Sequence, residues 1–374
     1  MIKSQCMERI IDTIPVSQWG MFPEARPLVI AGPCSAESES QVFETAVKIK
    51  AAGIEVFRAG IWKPRTHPDT FEGVGANGLD WLVKVKSELG MKICTEVANA
   101  KHLAECMERG VDMVWIGART TANPFLVQEI ADALRGTDIP VLVKNPVNPD
   151  IDLWIGALER LFRSGVKKLG VVHRGFSTVE KIPYRNSPEW QIAIEFRSKY
   201  PQLPFFCDPS HIGGDRKYIE EISQRSLDLG LDGLMIESHC NPSCAMSDSR
   251  QQLTPEDLCA MLGRLVVRNV DSDSPEYREN IYQLRAKIDV VDENILYMLG
   301  SRMKISRQIG EYKKKNNIAI LQTARWDSLL DKVISKGAEY GLSEKFVTTL
   351  FKAIHEASVQ EQNAILDEDH SEWK

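Results

Sequence analysis

The chain has 374 residues, with 46 basic against 52 acidic side chains and a formal net charge of -6. At roughly 150 residues per domain, that length allows two domains, or one large barrel with an appendage. A hydrophobic fraction of 43% and a charged fraction of 26% exclude disordered, collagen-like and purely coiled-coil chains. The acidic balance gives nucleic acid and anionic membranes no overall attraction, so any anion site must be local. The eight cysteines are not needed as covalent staples in so long a chain, and the opening MIKSQCMERI lacks the apolar run of a signal peptide. No stretch approaches the roughly 18 apolar residues of a membrane span. The expected location is a reducing cytoplasm.

From residue 28 to about 265 one unit recurs, a short β-rich apolar run ending in polar or glycine-rich residues and followed by an amphipathic helical stretch. The runs are LVIAGPC from Leu28, IEVFRAG from Ile54, MKICTEV from Met91, DMVWIGA from Asp112, PVLVKNP from Pro140, LGVVHRG from Leu169, PFFCDPS from Pro204 and GLMIESH from Gly233. Eight such units fit a TIM (β/α)8 barrel better than an open doubly wound sheet. Barrel active sites form at the C-terminal ends of the strands. At or just past those ends stand Cys34, Arg58, Glu96, Arg119, Lys144, Arg174, His211 and Glu237.

Two chemistries separate on that rim. Cys34, His211, Glu237 and Asp248 offer a thiolate, an imidazole and two carboxylates, a mixed donor set for manganese, iron, cobalt or zinc rather than magnesium or calcium. His239, Cys240 and Cys244 form a competing cluster, but their spacing lacks the second pair of a structural zinc site. The second chemistry is cationic. Arg58, Lys63, Arg65, Arg119, Lys144 and Arg174 suit small, highly charged anions, because guanidinium groups form bidentate pairs with carboxylate and phosphate. A nucleic-acid groove would need interleaved aromatic surfaces and a basic domain, and neither is present.

AGPCSAES from Ala31, RAGIWKPRTHPDTFEGVG from Arg58, IGARTT from Ile116, VKNP from Val143, HRG from His173, DPSH from Asp208, GLMIESH from Gly233 and SDSRQQL from Ser247 resemble, in barrel order, the 3-deoxy-D-arabino-heptulosonate 7-phosphate (DAHP) synthase family, closest to its short type I-beta subgroup. The resemblance implies a shikimate-pathway transferase condensing phosphoenolpyruvate with erythrose 4-phosphate. It implies metal ligation by Cys34, His211, Glu237 and Asp248, with manganese the first expectation. It further implies phosphoenolpyruvate binding by Arg58, Lys63, Arg119, Lys144 and Arg174, and sugar-phosphate binding by Pro64, Arg65 and Thr66. Lys144, Glu96 and Lys63 become the candidates for catalytic roles. The sibling octulosonate phosphate synthase, which uses arabinose 5-phosphate, shares the fold and much of the cationic site. The string Lys63-Pro64-Arg65-Thr66 resembles the heptulosonate enzymes instead. The segment 1–27 is too short for the regulatory domain some members carry and is expected to add a hairpin or strand at most.

After a polar linker at 266–274 the period changes. Ser274 followed by Pro275 is an N-cap with proline at the first helical position. Ile281, Leu284, Ile288, Val291, Ile295 and Met298 then follow a 3-4 spacing, which Ile305, Ile309 and Tyr312 resume. The slot between holds Arg302, a cation that needs an anionic partner in an apolar seam. A helix over 275–315 spans roughly 60 Å, too long for one small domain to cover, so dimerisation through it is expected. Shorter helices are expected around 325–336 and 343–365, the whole unit ending near 366 before a tail at 367–374.

LRAKID from Leu284, Arg302, IGEYK from Ile309 and ASVQEQ from Ala357 resemble the all-helical chorismate mutase family. The resemblance implies one pocket lined by Arg302, Lys313, Arg325, Ser358 and Gln362, with Arg285 entering from the partner subunit. Lys313 and Gln362 are the expected catalytic pair, hydrogen-bonding the ether oxygen of chorismate as charge builds. Gln322 and Trp326 stand where that family usually has acidic residues, so recognition of the substrate hydroxyl is expected to differ. The whole reads as a cytoplasmic bifunctional enzyme with feedback inhibition through the helical domain. The rivals are a helical unit that only senses ligand and dimerises, an arabinose 5-phosphate enzyme, and a non-enzymatic scaffold.

Overall fold

The computed structural model describes residues 11–63, 70–269, 273–320 and 323–367. The chain forms two compact units, residues 1–270 and 271–374. In the first, eight parallel strands close into a barrel in sequence order. They are β1 (Leu28–Gly32), β2 (Val56–Arg58), β3 (Lys92–Val97), β4 (Met113–Ile116), β5 (Val141–Lys144), β6 (Leu169–His173), β7 (Phe205–Cys207) and β8 (Gly233–Glu237). Each strand lies inside the apolar run expected for it, and β1 pairs with both β2 and β8, which excludes the open sheet.

The period of two along each strand divides the apolar residues into two packed sets. Ile30, Val56, Cys94, Met113, Trp115, Leu142, Val172, Phe206 and Met235 form the interior cluster. Their neighbours, such as Phe57, Ile93, Val114, Val143 and Phe205, pack outward under the helices. Continuing the inward alternation by two residues carries β2 to Arg58, β3 to Glu96, β5 to Lys144, β6 to Arg174, β7 to Asp208 and β8 to Glu237. On β1 it passes Gly32 to reach Cys34. Gly32 has φ +150°, and a Cβ there would lie 1.9 Å from the Arg58 carbonyl oxygen, so only glycine lets β1 pass β2 this closely.

The stretch before β1 adds no strand among its described residues. It closes the bottom of the barrel instead. Trp19 and Met21 are buried in the interior cluster with Ile14, Val16 and Phe22 packed against it. Hydrogen bonds tie the stretch to the lower ends of later strands: Ile14 N–H to the Lys167 carbonyl at 2.9 Å, and Gln202 Nε2 to the Ile11 carbonyl at 2.8 Å.

The second unit consists of helices Pro275–Lys315, Thr323–Glu339 and Glu344–Asp367. Ser274 caps the first, its hydroxyl accepting from Tyr277 N–H at 3.3 Å. That helix has 41 residues, which at 1.5 Å per residue is roughly 60 Å. The last helix packs on its C-terminal half, where Ser306 and Gly310 are buried. Along the N-terminal half, Leu284, Ile288, Val291, Ile295 and Met298 are each more than half exposed. No described helix of either unit is long and apolar enough to cross a membrane.

His173 faces outward from β6, fully buried, with the rings of Trp190 and Phe176 at 5.3 and 5.8 Å. Burial lowers its pKa from 6.5 to about 4. It stays neutral near pH 7, and as pH falls below 6.5 the unfolded chain takes up a proton that the folded state refuses. Stability is therefore lost between pH 6.5 and 4, with about 2 kcal/mol gone at pH 5 from this residue. Urea unfolding of the wild type and His173→Leu at pH 7 and pH 5 should show a smaller acid loss in the variant. Equal losses would contradict the assignment.

Candidate active sites

The barrel rim gathers the expected residues around a cavity of about 250 Å³, lined by Lys63, Glu96, Arg119, Lys144, Arg174, Arg185, His211 and Asp248 among others. Arg58, Cys34 and Glu237 do not line it and are buried beneath. Pro64, Arg65 and Thr66 lie outside the described residues. The geometry begins with compensation, because several of these charges are almost wholly removed from water. Lys144 Nζ sits 2.7 Å from Asp208 Oδ2, with Lys144 4% exposed and Asp208 fully buried. Arg58 Nη2 reaches Glu237 Oε1 at 3.3 Å, while Arg58 Nε and Nη1 have no hydrogen-bond partner among the described residues. Arg174 donates to Asn186 Oδ1 at 2.9 Å, and burial brings its pKa down to about 10.

Beside the cations is the acidic cluster. Ligand atoms of Cys34, Glu237 and Asp248 lie within 4.8 Å of one another. His211 stands at its edge, Nε2 3.9 Å from Glu237 Oε1 and Nδ1 2.8 Å from Asp208 Oδ2. Asp208 thus stands behind the imidazole, the position carboxylates take behind metal-bound histidines. Burial would raise the Asp208 pKa, but His211, Lys144 and Arg58 outweigh it and hold the carboxyl well below the usual range. Glu237 and Asp248 are likewise lowered: burial works the other way, and His211 leads the opposing cations. Burial, reinforced by Glu237, pushes the Cys34 thiol up to about 12. A divalent cation among these donors would supply the charge needed to hold Cys34 as a thiolate. The set of one sulfur, one imidazole and two carboxylates therefore fits a borderline transition metal.

The loops that hold the cluster are tied side chain to backbone. Cys34 N–H donates to Gln252 Oε1 at 2.9 Å, and Gln252 Nε2 donates to the Ser247 carbonyl at 2.8 Å, so one amide joins the loop of Cys34 to that of Asp248. Gln251 Nε2 donates to Glu237 Oε2 at 2.7 Å. Lys63 Nζ is 3.2 Å from Cys34 Sγ, joining the cationic site to the acidic one. In the rival cluster His239 Nδ1 lies 3.9 Å from Cys240 Sγ but also accepts from Asn241 N–H at 2.9 Å, its Nε2 faces Glu37 Oε2 at 3.5 Å, and Cys244 Sγ accepts from Asn241 Nδ2 at 3.3 Å.

Sequence reasoning missed Arg185, Asn186 and Asp208. Arg185 lies in an irregular loop after β6 yet donates to Asp248 Oδ1 at 3.0 Å and Gln251 Oε1 at 2.9 Å. Only Asp208, at the inward position of β7, carried a readable signal, its place in the alternation.

The helical unit has its own cavity of about 420 Å³, lined by Arg302, Ser306, Lys313, Trp326, His355, Ser358 and Gln362 with an apolar remainder. Four of the residues expected there converge. Arg302 donates to Ser358 Oγ, Lys313 to the Ile320 carbonyl, and Gln362 Nε2 to Ser306 Oγ at 3.2 Å. Gln362 Oε1 is buried without a hydrogen-bond partner among the described residues. Burial alone lowers the pKa of Arg302, which meets a hydroxyl there rather than a carboxylate. Trp326 stacks on His355 with ring centroids 4.2 Å apart, a wall the sequence did not reveal. Arg285 is exposed and lines no part of this cavity, and Gln322 and the Arg325 side chain lie outside the described residues.

The first unit is thus a closed eight-stranded parallel barrel with a charged rim, and the second is all-helical. Residues 21–266 match the profile of the DAHP synthetase I family, and the chain belongs to that family. Residues 284–363 match chorismate mutase type II, so a chorismate mutase domain follows. Phospho-2-dehydro-3-deoxyheptonate aldolase of Thermotoga maritima is 34% identical over 225 residues, 60% of this chain. The alignment spans about 64% of that relative's length. 2-Dehydro-3-deoxyphosphooctonate aldolase of Nitratidesulfovibrio vulgaris is 27% identical over 257 residues, 64% of this chain and 91% of the relative. The crystal structure of the Thermotoga maritima DAHP synthase superimposes with a TM-score of 0.60 at 29% identity, covering 67% of this chain and 72% of that one.

Asp208 serves Lys144, His211 and the Arg58 neighbourhood at once. Asp208→Asn should destabilise the protein by about 3 to 5 kcal/mol, because it leaves buried cations without their anion. Denaturant melts that differ by less than about 1 kcal/mol would show that the rim charges are compensated elsewhere.

Proposed function

We propose that the chain is bifunctional: the barrel condenses phosphoenolpyruvate with erythrose 4-phosphate to DAHP and inorganic phosphate, and the helical domain converts chorismate to prephenate. The carrying observation is the rim itself, where Lys63, Arg119, Lys144, Arg174 and Arg185 surround one small cavity beside a thiol–carboxylate cluster. The boundary between the two activities falls in the linker at 266–274.

In the barrel, the cations bind the carboxylate and phosphate of phosphoenolpyruvate and orient it so that C3 faces the aldehyde carbon. Cys34, His211, Glu237 and Asp248 would hold a divalent metal, manganese first, which supplies Lewis-acid polarisation of the aldehyde carbonyl. A carbon–carbon bond forms from C3, water adds at C2, and phosphate leaves as the C2–O bond breaks. Glu96, on the cavity wall and held by Trp115 Nε1–H at 2.9 Å, is placed to take a proton from that water, with Lys144 beside the phosphate. Choice of the four-carbon sugar rests on Lys63 and the residues at 64–66.

In the helical pocket, Arg302 and Arg325 pair with the carboxylates of chorismate, and Ser358 positions its ring. Lys313 and Gln362 hydrogen-bond the ether oxygen as charge develops. The exposed apolar half of the long helix supports a homodimer in which the partner's Arg285 completes the pocket. Chorismate or prephenate bound there lowers barrel activity, a feedback reading that fails if neither ligand changes that activity while still binding.

The direct test follows phosphoenolpyruvate consumption by the full chain with erythrose 4-phosphate and, separately, arabinose 5-phosphate, before and after chelation. Consumption with the four-carbon sugar, abolished by chelator and restored by manganese, is expected. Preference for arabinose 5-phosphate would assign the sibling activity, and metal-independent turnover would refute the metal site. Lys313→Ala should lower prephenate formation by roughly 10²–10³-fold and leave phosphoenolpyruvate consumption in place. A wild-type chain that binds chorismate without forming prephenate would make the helical domain a sensor.

A further inference from the structure

Inward positions at the ends of β2, β3, β5 and β8, and one residue past the ends of β6 and β7, carry charge. The last inward residue within β4 is Trp115, fully buried. Its ring contacts two of the rim cations: the Arg58 guanidinium carbon lies 4.8 Å and Lys144 Nζ 5.7 Å from the ring centroid. Its Nε1–H donates to Glu96 Oε2 at 2.9 Å. Gly117, next in the alternation, leaves room for the Glu96 carboxylate, since a Cβ there would come 2.1 Å from Glu96 Oε1. Glu96 is thus hydrogen-bonded from Trp115 and given its place by Gly117. Arg58 most needs such support, being 1% exposed and holding a single carboxylate contact at 3.3 Å.

We infer that Trp115 is a positioning residue for the enol-phosphate pocket, its ring holding Arg58 and Lys144 and its indole N–H holding Glu96. A cation against an aromatic face is stabilised most where water is excluded, and the deeply buried end of the barrel interior is such a place. An aliphatic residue would fill the volume and serve none of the three polar neighbours. Phenylalanine would keep the face and lose the N–H. The two functions of the indole are therefore separable by substitution.

The inference rests on the phosphoenolpyruvate reading above, and full-chain steady-state kinetics with manganese keep the two distinguishable. If the wild type consumes no phosphoenolpyruvate with erythrose 4-phosphate, that reading is what fails. In an active protein, Trp115→Leu should raise KM for phosphoenolpyruvate about tenfold or more while Trp115→Phe stays within about threefold. KM for the sugar phosphate should hold in both, and kcat should fall in both because Glu96 loses its donor. Equal phosphoenolpyruvate KM increases in Phe and Leu variants, or a rise in both KM values together with a lower Tm, would overturn it. If Trp115→Leu does not fold, fluorescence decides. Phosphoenolpyruvate should perturb the Trp115 emission, taken as wild type minus Trp115→Phe, and a difference spectrum unmoved at saturation would overturn the inference.

Discussion

Charges of both signs, shut away from water at the top of a closed barrel, are what the rest of this molecule is organised around. Arg58, Lys144, Asp208 and Glu237 are each at most 4% exposed. Desolvating such groups costs several kcal/mol apiece unless partners restore what water supplied. The protein supplies part of that compensation through Lys144–Asp208, Arg58–Glu237 and the indole of Trp115. The unmatched part is chemical capacity: two Arg58 nitrogens without hydrogen-bond partners among the described residues, and a Cys34 thiol held neutral beside two carboxylates. On the proposed reading, an anionic substrate and a divalent cation would complete complementary halves of one network, and Lys63 touches both halves, lining the cavity and lying 3.2 Å from Cys34 Sγ.

The fold was legible because barrel strands are short, apolar and separated by helical text, and every observed strand falls within an expected run. The rim was legible for the same reason, since a charged residue two positions beyond an inward apolar one can point only at the barrel mouth. What was not legible depends on contacts between distant segments. Arg185 comes from a loop without periodicity, and its pairing with Asp248 appears only when the loops after β6 and β8 meet. Trp115 reads in sequence as one more apolar residue of β4. The segment before β1 has no pattern that announces a plug; Trp19 and Met21 become interior residues only because the barrel leaves its lower end open.

In the helical unit a different constraint governs. The last helix covers only the C-terminal half of the 41-residue helix, which leaves a row of apolar side chains facing solvent in the isolated chain. The proposed second copy would cover that row, and it would also bring Arg285 to a pocket that Arg285 of the same chain does not line. The pocket already holds a cation, Arg302, set against a hydroxyl instead of a carboxylate. Both units thus follow one rule: cations are placed where the protein does not neutralise them fully, which is what the proposed small anionic substrates would do.

Scanning calorimetry of the full chain with manganese and phosphoenolpyruvate tests that rule most directly. Ligands that bind only the folded barrel stabilise it by about 2.7 kcal/mol at a hundred times Kd. Manganese and phosphoenolpyruvate should each raise the barrel's Tm, and Cys34→Ser should remove the manganese effect. A barrel transition unmoved by saturating metal and phosphoenolpyruvate would contradict it.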